Sequence, residues 1–423
     1  MFKKYDNYKD SGLEWLGEIP SEWGVKRVKD NFYQISERSN KLDKNTYIPL
    51  ENIESFSGKL LKRISNENNE DSLLFKKDDI LFNKLRPYLA KVLLAEFNGG
   101  VSQEVIVMRV NKLLKNNVFP KYFLFRFLSE SFIAKSNSMT DGVKMPRANP
   151  YKIMNLHFAL PSLKTQTKIA TYLDTQTQKI DKEIQLLEEK SLKYKELKQT
   201  LINETVLRGL DKGVKLKDSG IEWIGDIPEG WGVKRLKDIS KIKTGYTPSK
   251  EINNNYSKDG FIWIKPDELN NLIPVNNSKE KVSFIGLKKQ NIIPRNSVLV
   301  CCIGSIGKFG IAGTDVITNQ QINSIIFNKN IIPSFGKYII ASSKKEHLRL
   351  ANGNVVKILN STNQGRIIFT VPPLKEQTKI AIYLDEKTQK IDAITKTITT
   401  KITLLKEFRK TLINDVVTGK VKI

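Results

Sequence analysis

Cysteine and histidine are nearly absent from this chain of 423 residues, which has two of each. Cys301 and Cys302 are adjacent and too close in sequence to staple a fold, so no disulfide framework exists and a reducing compartment is expected. His157 and His347 lie far apart with no cysteine near either, which argues against a zinc site or a histidine triad. No run of about 18 apolar residues occurs, and the start, Met-Phe-Lys-Lys, has no apolar leader segment. No membrane contact and a cytoplasmic location are therefore expected. Negative charge is also short: 45 Asp and Glu face 70 Lys and Arg, a net charge of +25. That excess favours a polyanionic partner, through phosphate contacts and counterion release.

Signatures of chemistry are missing as well. Gly304-Ser-Ile-Gly-Lys308 ends as a phosphate-binding loop does, yet Cys302 stands where the loop's first glycine must be, and Phe309 follows the lysine. Asn149-Pro-Tyr151 lacks the second proline of the amino-methyltransferase motif Asn-Pro-Pro-Tyr. No Gly-x-Gly cofactor loop follows a predicted strand, and Glu188-Glu-Lys190 falls on the polar face of a helix rather than in a nuclease cluster. No catalytic residue, metal site or cofactor is expected in this chain.

What the chain does have is repetition. Residues 166–181 return as 377–392 at an offset of 211, with 13 of 16 positions identical, and residues 9–30 return as 217–238 with 16 of 22 identical. Leu173, Ile180, Leu187, Tyr194 and Leu201 fall seven apart, as do Leu384, Ile391, Ile398, Leu405 and Leu412. A seven-residue apolar seam is what a coiled-coil partner helix buries. The alternate seam places, Ala170, Thr177, Ile184, Ser191 and Lys198, are mostly small or polar, so such a helix is poorly stable alone and each copy is expected to cover the other. The earlier block is rich in Gly and Pro, and its tryptophans (Trp15, Trp23, Trp223, Trp231) suit anchoring onto a core.

Between the blocks lie two stretches of strands, turns and short helices. In the first, 79–87 and 101–110 are expected as strands and 120–135 as one aromatic-rich helix. The second, 239–371, shares only landmarks with it: residues 296–300 echo 78–82, Thr318-Asn-Gln-Gln321 echoes Val101-Ser-Gln-Glu104, and Asn360 falls 211 after Asn149. A shared frame with divergent filling implies one fold doing two versions of one task.

The repeat blocks also carry a resemblance. Residues 217–231 (Lys-Asp-Ser-Gly-Ile-Glu-Trp-Ile-Gly-Asp-Ile-Pro-Glu-Gly-Trp) and 372–385 are similar to the conserved segments of specificity subunits of Type I restriction-modification enzymes, as are Thr244-Gly-Tyr-Thr-Pro-Ser249, Phe261-Ile-Trp-Ile264 and Thr318-Asn-Gln-Gln-Ile-Asn323. The first domain departs from that pattern, with Asn83-Lys-Leu-Arg86 in place of Gly-Ser-Ile-Gly. The resemblance implies an α+β fold: two similar mixed α/β target-recognition domains (1–160 and 211–371) separated by two long antiparallel coiled-coil helices (161–210 and 372–423), with pseudo-twofold symmetry. It implies a non-catalytic subunit that reads an asymmetric bipartite site on double-stranded DNA, one half per domain. Its partners would be two modification (methyltransferase) subunits and two restriction (motor-nuclease) subunits, which would hold S-adenosylmethionine, ATP and Mg. The sequence leaves two other readings open: a coiled-coil protein-interaction adaptor, and a fused methyltransferase or nuclease with an unrecognised site.

Base edges are read by side chains that fork or donate and accept together, while other cations grip phosphates. The candidates near glycine- and proline-containing loops are Lys84, Arg86, Lys144 and Arg147 in the first domain. In the second they are Thr244, Tyr246, Thr247, Lys308, Lys357, Asn363 and Gln364, with Asn319 and Gln320 expected to satisfy backbone groups instead.

Overall fold

A computed structural model describes residues 3–39, 46–62, 71–111, 113 and 117–423. The chain divides into two compact units, Met1–Glu189 with Ile398–Ile423, and Lys190–Thr397. Each unit holds one sheet-rich domain with part of both long helices.

In the first unit, stretches rich in Ile, Val and Phe build an antiparallel sheet in the order Phe32–Ile35, Val105–Val110, Ile80–Asn83, Val92–Leu94. All four residues of Ile80–Asn83 are buried. Because successive side chains of a strand face opposite ways, Ile80 and Phe82 enter one core and Leu81 another. The first core is aromatic: Phe32, Phe82, Phe123, Phe127, Phe132 and Phe158 pack at tilted and edge-on angles, as ring quadrupoles favour. The single helix expected over 120–135 is two, Pro120–Leu128 and Glu130–Ser138. Ser129 divides them: it is extended, and its hydroxyl donates to the Arg126 carbonyl at 2.7 Å, competing with the helix for that acceptor. The strand expected over 101–110 is also two, Gly99–Val101 and Val105–Val110, split by a turn in which the Val105 N–H donates to Ser102.

The second unit repeats the plan. Its main sheet runs Ser240–Thr244, Ile322–Phe327, Val298–Cys301, Phe309–Ala312, Pro274–Val275, and again the central strand splits its side chains between two cores, Val298 and Val300 to one, Leu299 and Cys301 to the other. A second, three-stranded sheet is built from Lys281–Val282, Tyr256–Ile264 and Ile317–Thr318, strands interleaved in sequence with those of the main sheet.

The long helices are Leu163–Arg208 and Leu374–Val417. Within the first unit they run antiparallel: Asp181 meets Arg409 at 2.9 Å, and further along Glu188 meets Lys406 at 3.5 Å. In the second unit Lys198 meets Asp392 at 2.7 Å, the repeat-related version of the Asp181–Arg409 pair. The heptad seam is only partly a helix-to-helix seam. Leu173, Ile180, Leu384, Ile391, Ile398 and Leu412 are buried, whereas Leu187, Tyr194, Leu201 and Leu405 are half-buried. The difference has a cause: Leu173, Ile180 and Leu412 share the aromatic core, and Leu384 shares the second unit's core, so the domains cover these places.

Two residues that look like surface polars fix each domain to its helix. Gln166 accepts the Phe119 N–H at 2.9 Å through Oε1 and donates through Nε2 to the carbonyls of Asn117 and Pro161 at 3.1 and 2.9 Å. Gln377 does the same with Ile332, Asn330 and Pro372. Phe119 and Ile332 are the N-cap residues of Pro120–Leu128 and Pro333–Ser342, so each amide satisfies a helix start that has no side-chain cap of its own. Gln166 is 1% exposed and Gln377 fully buried, so truncation strands several polar groups away from water. Gln166→Ala is expected to lower the stability of the first unit by about 3 kcal/mol, with exposed Gln178→Ala as the neutral control. Equal denaturant midpoints for the two variants would refute the staple.

Candidate nucleic-acid interface

The first domain gathers all four of its sequence-chosen residues at one loop cluster. Strand Ile80–Asn83 ends on Asn83, whose buried amide donates to the carbonyls of Leu85 and Arg86 at 2.9 and 3.0 Å and accepts the Lys91 N–H at 2.9 Å. That closes the turn carrying Lys84 and Arg86. The turn is laced to a hairpin, Thr140–Asp141 with Arg147–Ala148: the Arg86 N–H donates to Pro146 at 2.7 Å, the Ala148 N–H donates to Lys84 at 2.8 Å, and Leu85 bridges Arg147. Arg147 forks onto Glu104, Nη2 to Oε1 at 2.8 Å and Nε to Oε2 at 3.2 Å. Lys144 projects from the hairpin tip, and neither it nor Lys84 makes an ion pair with a described residue. Arg86 is half-buried and its Nε is enclosed. Glu104, the last residue of the Val101–Glu104 landmark, joins the candidate cluster through this pair.

The second domain builds its cluster on the same plan. Ile303 bridges Ile358, the Gly304 N–H donates to Lys357 at 3.1 Å, and the Leu359 N–H donates to Cys302 at 2.8 Å, lacing the 302–307 turn to a hairpin closed by Asn352 and Ile358. Lys357 is exposed on it. Tyr246 is 39% exposed, and the Thr247 hydroxyl bonds Gln320 across the loop from Thr318. Asn319, by contrast, is buried and accepts the Gln321 N–H, a turn-forming role. The landmark asparagines are helix caps: Asn149 accepts the Tyr151 N–H at 2.9 Å and Asn360 the Asn363 N–H at 2.7 Å, leaving the Asn363 side chain half-buried.

Two sequence choices are corrected. Gln364 has no exposed surface and its amide is committed inside the domain, so it cannot present itself to a ligand. Lys308 is half-buried with its amine donating to the Pro266 carbonyl at 2.6 Å, which makes it a brace rather than a free cation. Thr244 is exposed, but its hydroxyl donates to Asn323 at 2.8 Å.

A chain of hydrogen bonds runs inward from Thr244. Asn323 Nδ2 donates to Gln364 Oε1 at 2.8 Å, Gln364 Nε2 reaches His347 Nε2 at 3.1 Å, and His347 Nδ1 reaches the Ser343 carbonyl at 2.9 Å. A carbonyl can only accept, so Nδ1 carries the proton and Nε2 accepts from the glutamine. His347 is therefore held neutral, and burial drives its pKa down to about 4. Burial also pushes the Cys302 thiol up to about 12, too high for a nucleophile at neutral pH. Gly304–Lys308 joins two antiparallel strands, Val298–Cys301 and Phe309–Ala312, with no helix after it, so it lacks the helix start that a nucleotide cradle requires. Among the described residues no three His, Cys, Asp or Glu side chains converge as a metal site, and no helix is long and apolar enough to cross a membrane.

The family described as Type I restriction modification DNA specificity domain matches this chain over residues 20–189 and 228–404. A putative type I restriction enzyme MjaX specificity subunit of Methanocaldococcus jannaschii is 25% identical across 100% of this chain and 98% of its own length. The HindI specificity subunit of Haemophilus influenzae is 31% identical over 34% of each chain. Among solved structures, a chain from a type I R-M system, studied for complex assembly and conformational transition, superposes with a TM-score of 0.76 at 18% identity, covering 94% of this chain and 98% of its own. The HsdS subunit from Thermoanaerobacter tengcongensis does so with a TM-score of 0.54 at 18% identity, covering 95% and 98%.

The neutral histidine beneath the second cluster has a measurable consequence. Its folded pKa of about 4 lies below the ordinary value of 6.5, so between those limits the unfolded chain binds a proton that the folded chain does not. His347 therefore costs nothing above about pH 6.5, and stability falls as pH drops from there to about 4, by roughly 3 kcal/mol in total. His347→Gln is expected to flatten that part of the stability profile in denaturant titrations between pH 4 and 7. An unchanged pH slope in the variant would refute the assignment.

Proposed function

The chain belongs to the family of Type I restriction modification DNA specificity domains, and from that premise we propose that each of its two domains reads one half of an asymmetric bipartite DNA site. The observation that carries this is the pair of loop clusters: they stand at equivalent places in the two domains, on equivalent backbone bonds, yet are filled by different residues. A cation-rich set, Lys84, Arg86, Lys144, Arg147 with Glu104, faces one half-site; Tyr246, Thr247, Gln320, Lys357 and Asn363 face the other. The exposed lysines serve phosphates. Arg147 and Glu104 form a donor fork beside an acceptor, the combination that suits a guanine edge and its cytosine partner. Their mutual pair is more than half exposed on the arginine side, so exchanging it for base contacts costs little, of order 0–1 kcal/mol.

The chemistry belongs to other chains in this reading. The specificity subunit is non-catalytic, and it assembles in the cytoplasm with two modification subunits, which bring S-adenosylmethionine, and two restriction subunits, which bring ATP and Mg. The repeated blocks would be the constant docking surface and the domains the variable part. Support comes from the family membership and from the division between constant frame and variable loops.

Two outcomes test this. Replacing residues 31–160 by the matching region of a relative should change one half of the methylated site, mapped by sequencing methylated adenines in cells expressing the chimera, and leave the other half intact. A change in both halves would show that the domains do not read independently. The purified chain alone should transfer no methyl groups, gaining activity only with modification subunits bound, and its DNA affinity should fall linearly on a log–log plot against salt. Methyl transfer by the lone chain above a blank would refute the non-catalytic role.

A further inference from the structure

Each cluster ends in an apolar point. In the first domain the hairpin tip 142–146 exposes Val143 at 102% and Met145 at 55%, and in the second the tip 353–357 exposes Val355 at 98% and Val356 at 50%. Both tips start with a left-handed glycine, Gly142 at φ 89 and Gly353 at φ 110, a turn that a side chain would strain. At Gly353 a Cβ would sit 2.3 Å from the Val356 carbonyl oxygen. The stalks below are pinned to neighbouring turns by the backbone bonds given above, so these side chains are held out from the domain by rigid structure. Exposed apolar residues fixed in this way, at the same place in two domains whose loops otherwise differ, call for a partner.

The surroundings favour DNA over protein. Lys144 and Arg147 flank the first tip and Lys357 the second, and neither 142–149 nor 351–360 contains a carboxylate. Two carboxylates meet the base of the first hairpin, and both are paired, Asp141 with Lys152 and Glu104 with Arg147. Cations beside an apolar point match a groove, with phosphates at its walls and bases at its floor. A protein interface buries about 800 Å² per partner, far more than two side chains at a hairpin tip supply. The major groove, about 12 Å wide, admits a two-stranded hairpin, and its floor bears one apolar group, the thymine methyl.

We propose that the two tips are specificity-determining apolar fingers that read thymine methyl groups in the major groove, Val143 and Met145 for one half-site and Val355 and Val356 for the other. This rests on the bipartite reading above and deepens it, by naming the base feature recognised. Each half-site then contains at least one thymine whose methyl group matters, and the contribution is apolar, so it does not change with salt.

The experiment uses the full chain with its modification subunits. Bound duplexes are first enriched from a random-sequence pool, which identifies both half-sites. Each thymine in them is then replaced by deoxyuridine, which lacks only the methyl group. The wild-type complex is expected to lose about 4-fold in affinity per contacted methyl at one or more positions in each half. Val143→Ser with Met145→Ser should abolish the thymine preference in the first half-site alone, and Val355→Ser with Val356→Ser that in the second alone. The slope of affinity against salt should stay the same, and because the side chains are exposed, so should thermal melting. Indifference of the wild-type complex to deoxyuridine at every position overturns the proposal, as does a serine variant that keeps the preference. A serine variant that binds DNA normally but no longer retains the modification subunits also overturns it, assigning the tips to protein docking. Failure of the wild-type complex to enrich any sequence refutes the parent reading instead, before the tips are tested.

Discussion

Two buried side-chain amides, Gln166 and Gln377, hold the start of each long helix against the start of the helix beneath each sheet, and the rest of the architecture leans on that junction. A helix start leaves N–H groups without partners, and burying them uncompensated is costly. The glutamine is long enough to reach the N-cap N–H while its own N–H groups bond two carbonyls, so three potential losses become three bonds. With the junction fixed, Ile169, Ala170 and Leu173 pack into the first core, and Ile380, Ala381 and Leu384 into the second. Each unit is then closed from the other side by a helix end. Gly419, at φ 80, lies so near Pro20 and Trp23 that a Cβ would fall 2.4 Å from the proline ring, and Gly209 occupies the matching place against Trp231. The tryptophans are anchors because a glycine lets a helix terminus come down on them.

This explains which parts of the chain repeat. Residues that form the junctions, the caps and the glycine turns recur at constant offset, since each is tied to backbone geometry that cannot shift without stranding a polar group: Gln166 with Gln377, Asn149 with Asn360, Gly142 with Gly353. Residues whose side chains leave the surface at the clusters are free of that constraint and differ, as Arg147 differs from Ile358 at the same bridge position. At the clusters, the variation falls where the backbone is already held by something else.

Much of the fold was legible in the sequence because its signals are periodic. A constant offset marked the duplication, and the seven-residue seam marked both helices. The division of 120–138 was not legible, since Ser129 is an ordinary helix-surface residue until its hydroxyl takes the Arg126 carbonyl. The glutamine junctions leave a trace in the sequence: Gln166 and Gln377 stand seven residues before Leu173 and Leu384, on the apolar stripe itself, where a polar residue needs a reason. The candidate clusters were legible only in part. Loops rich in Gly and Pro pointed to residues that the fold gathers at two laced turns, but residue type does not separate an exposed amide from a buried one. Gln364 and Asn363 are neighbours of similar chemistry; the helix turn sends one into the core, to His347 and Asn323, and leaves the other at the surface. Lys308 differs from its sequence expectation for a related reason, because a lysine stem can be enclosed while its amine finds a carbonyl.

The charges follow the same separation between frame and surface. Arg109 and Asp79 form a two-bond pair at 2.8 and 2.7 Å with the carboxylate almost wholly buried, and the hydrogen bond to Asp79 raises the arginine pKa, so this cation belongs to the frame. Breaking such a pair would leave a buried charge uncompensated. Arg147 with Glu104 has the same fork geometry, but the arginine lies mostly in solvent, where the pair contributes little and can be traded. Lys84, Lys144 and Lys357 go further and are left without ion-pair partners among the described residues. Cations whose pairing would be expensive to disturb, Arg109 in its strand and Arg409 against Asp181 on the long helices, therefore belong to the frame, and those that could be released at small cost sit on the laced loops. A surface meant to exchange its own contacts for those of another molecule needs that arrangement, a rigid backbone carrying loosely committed charge.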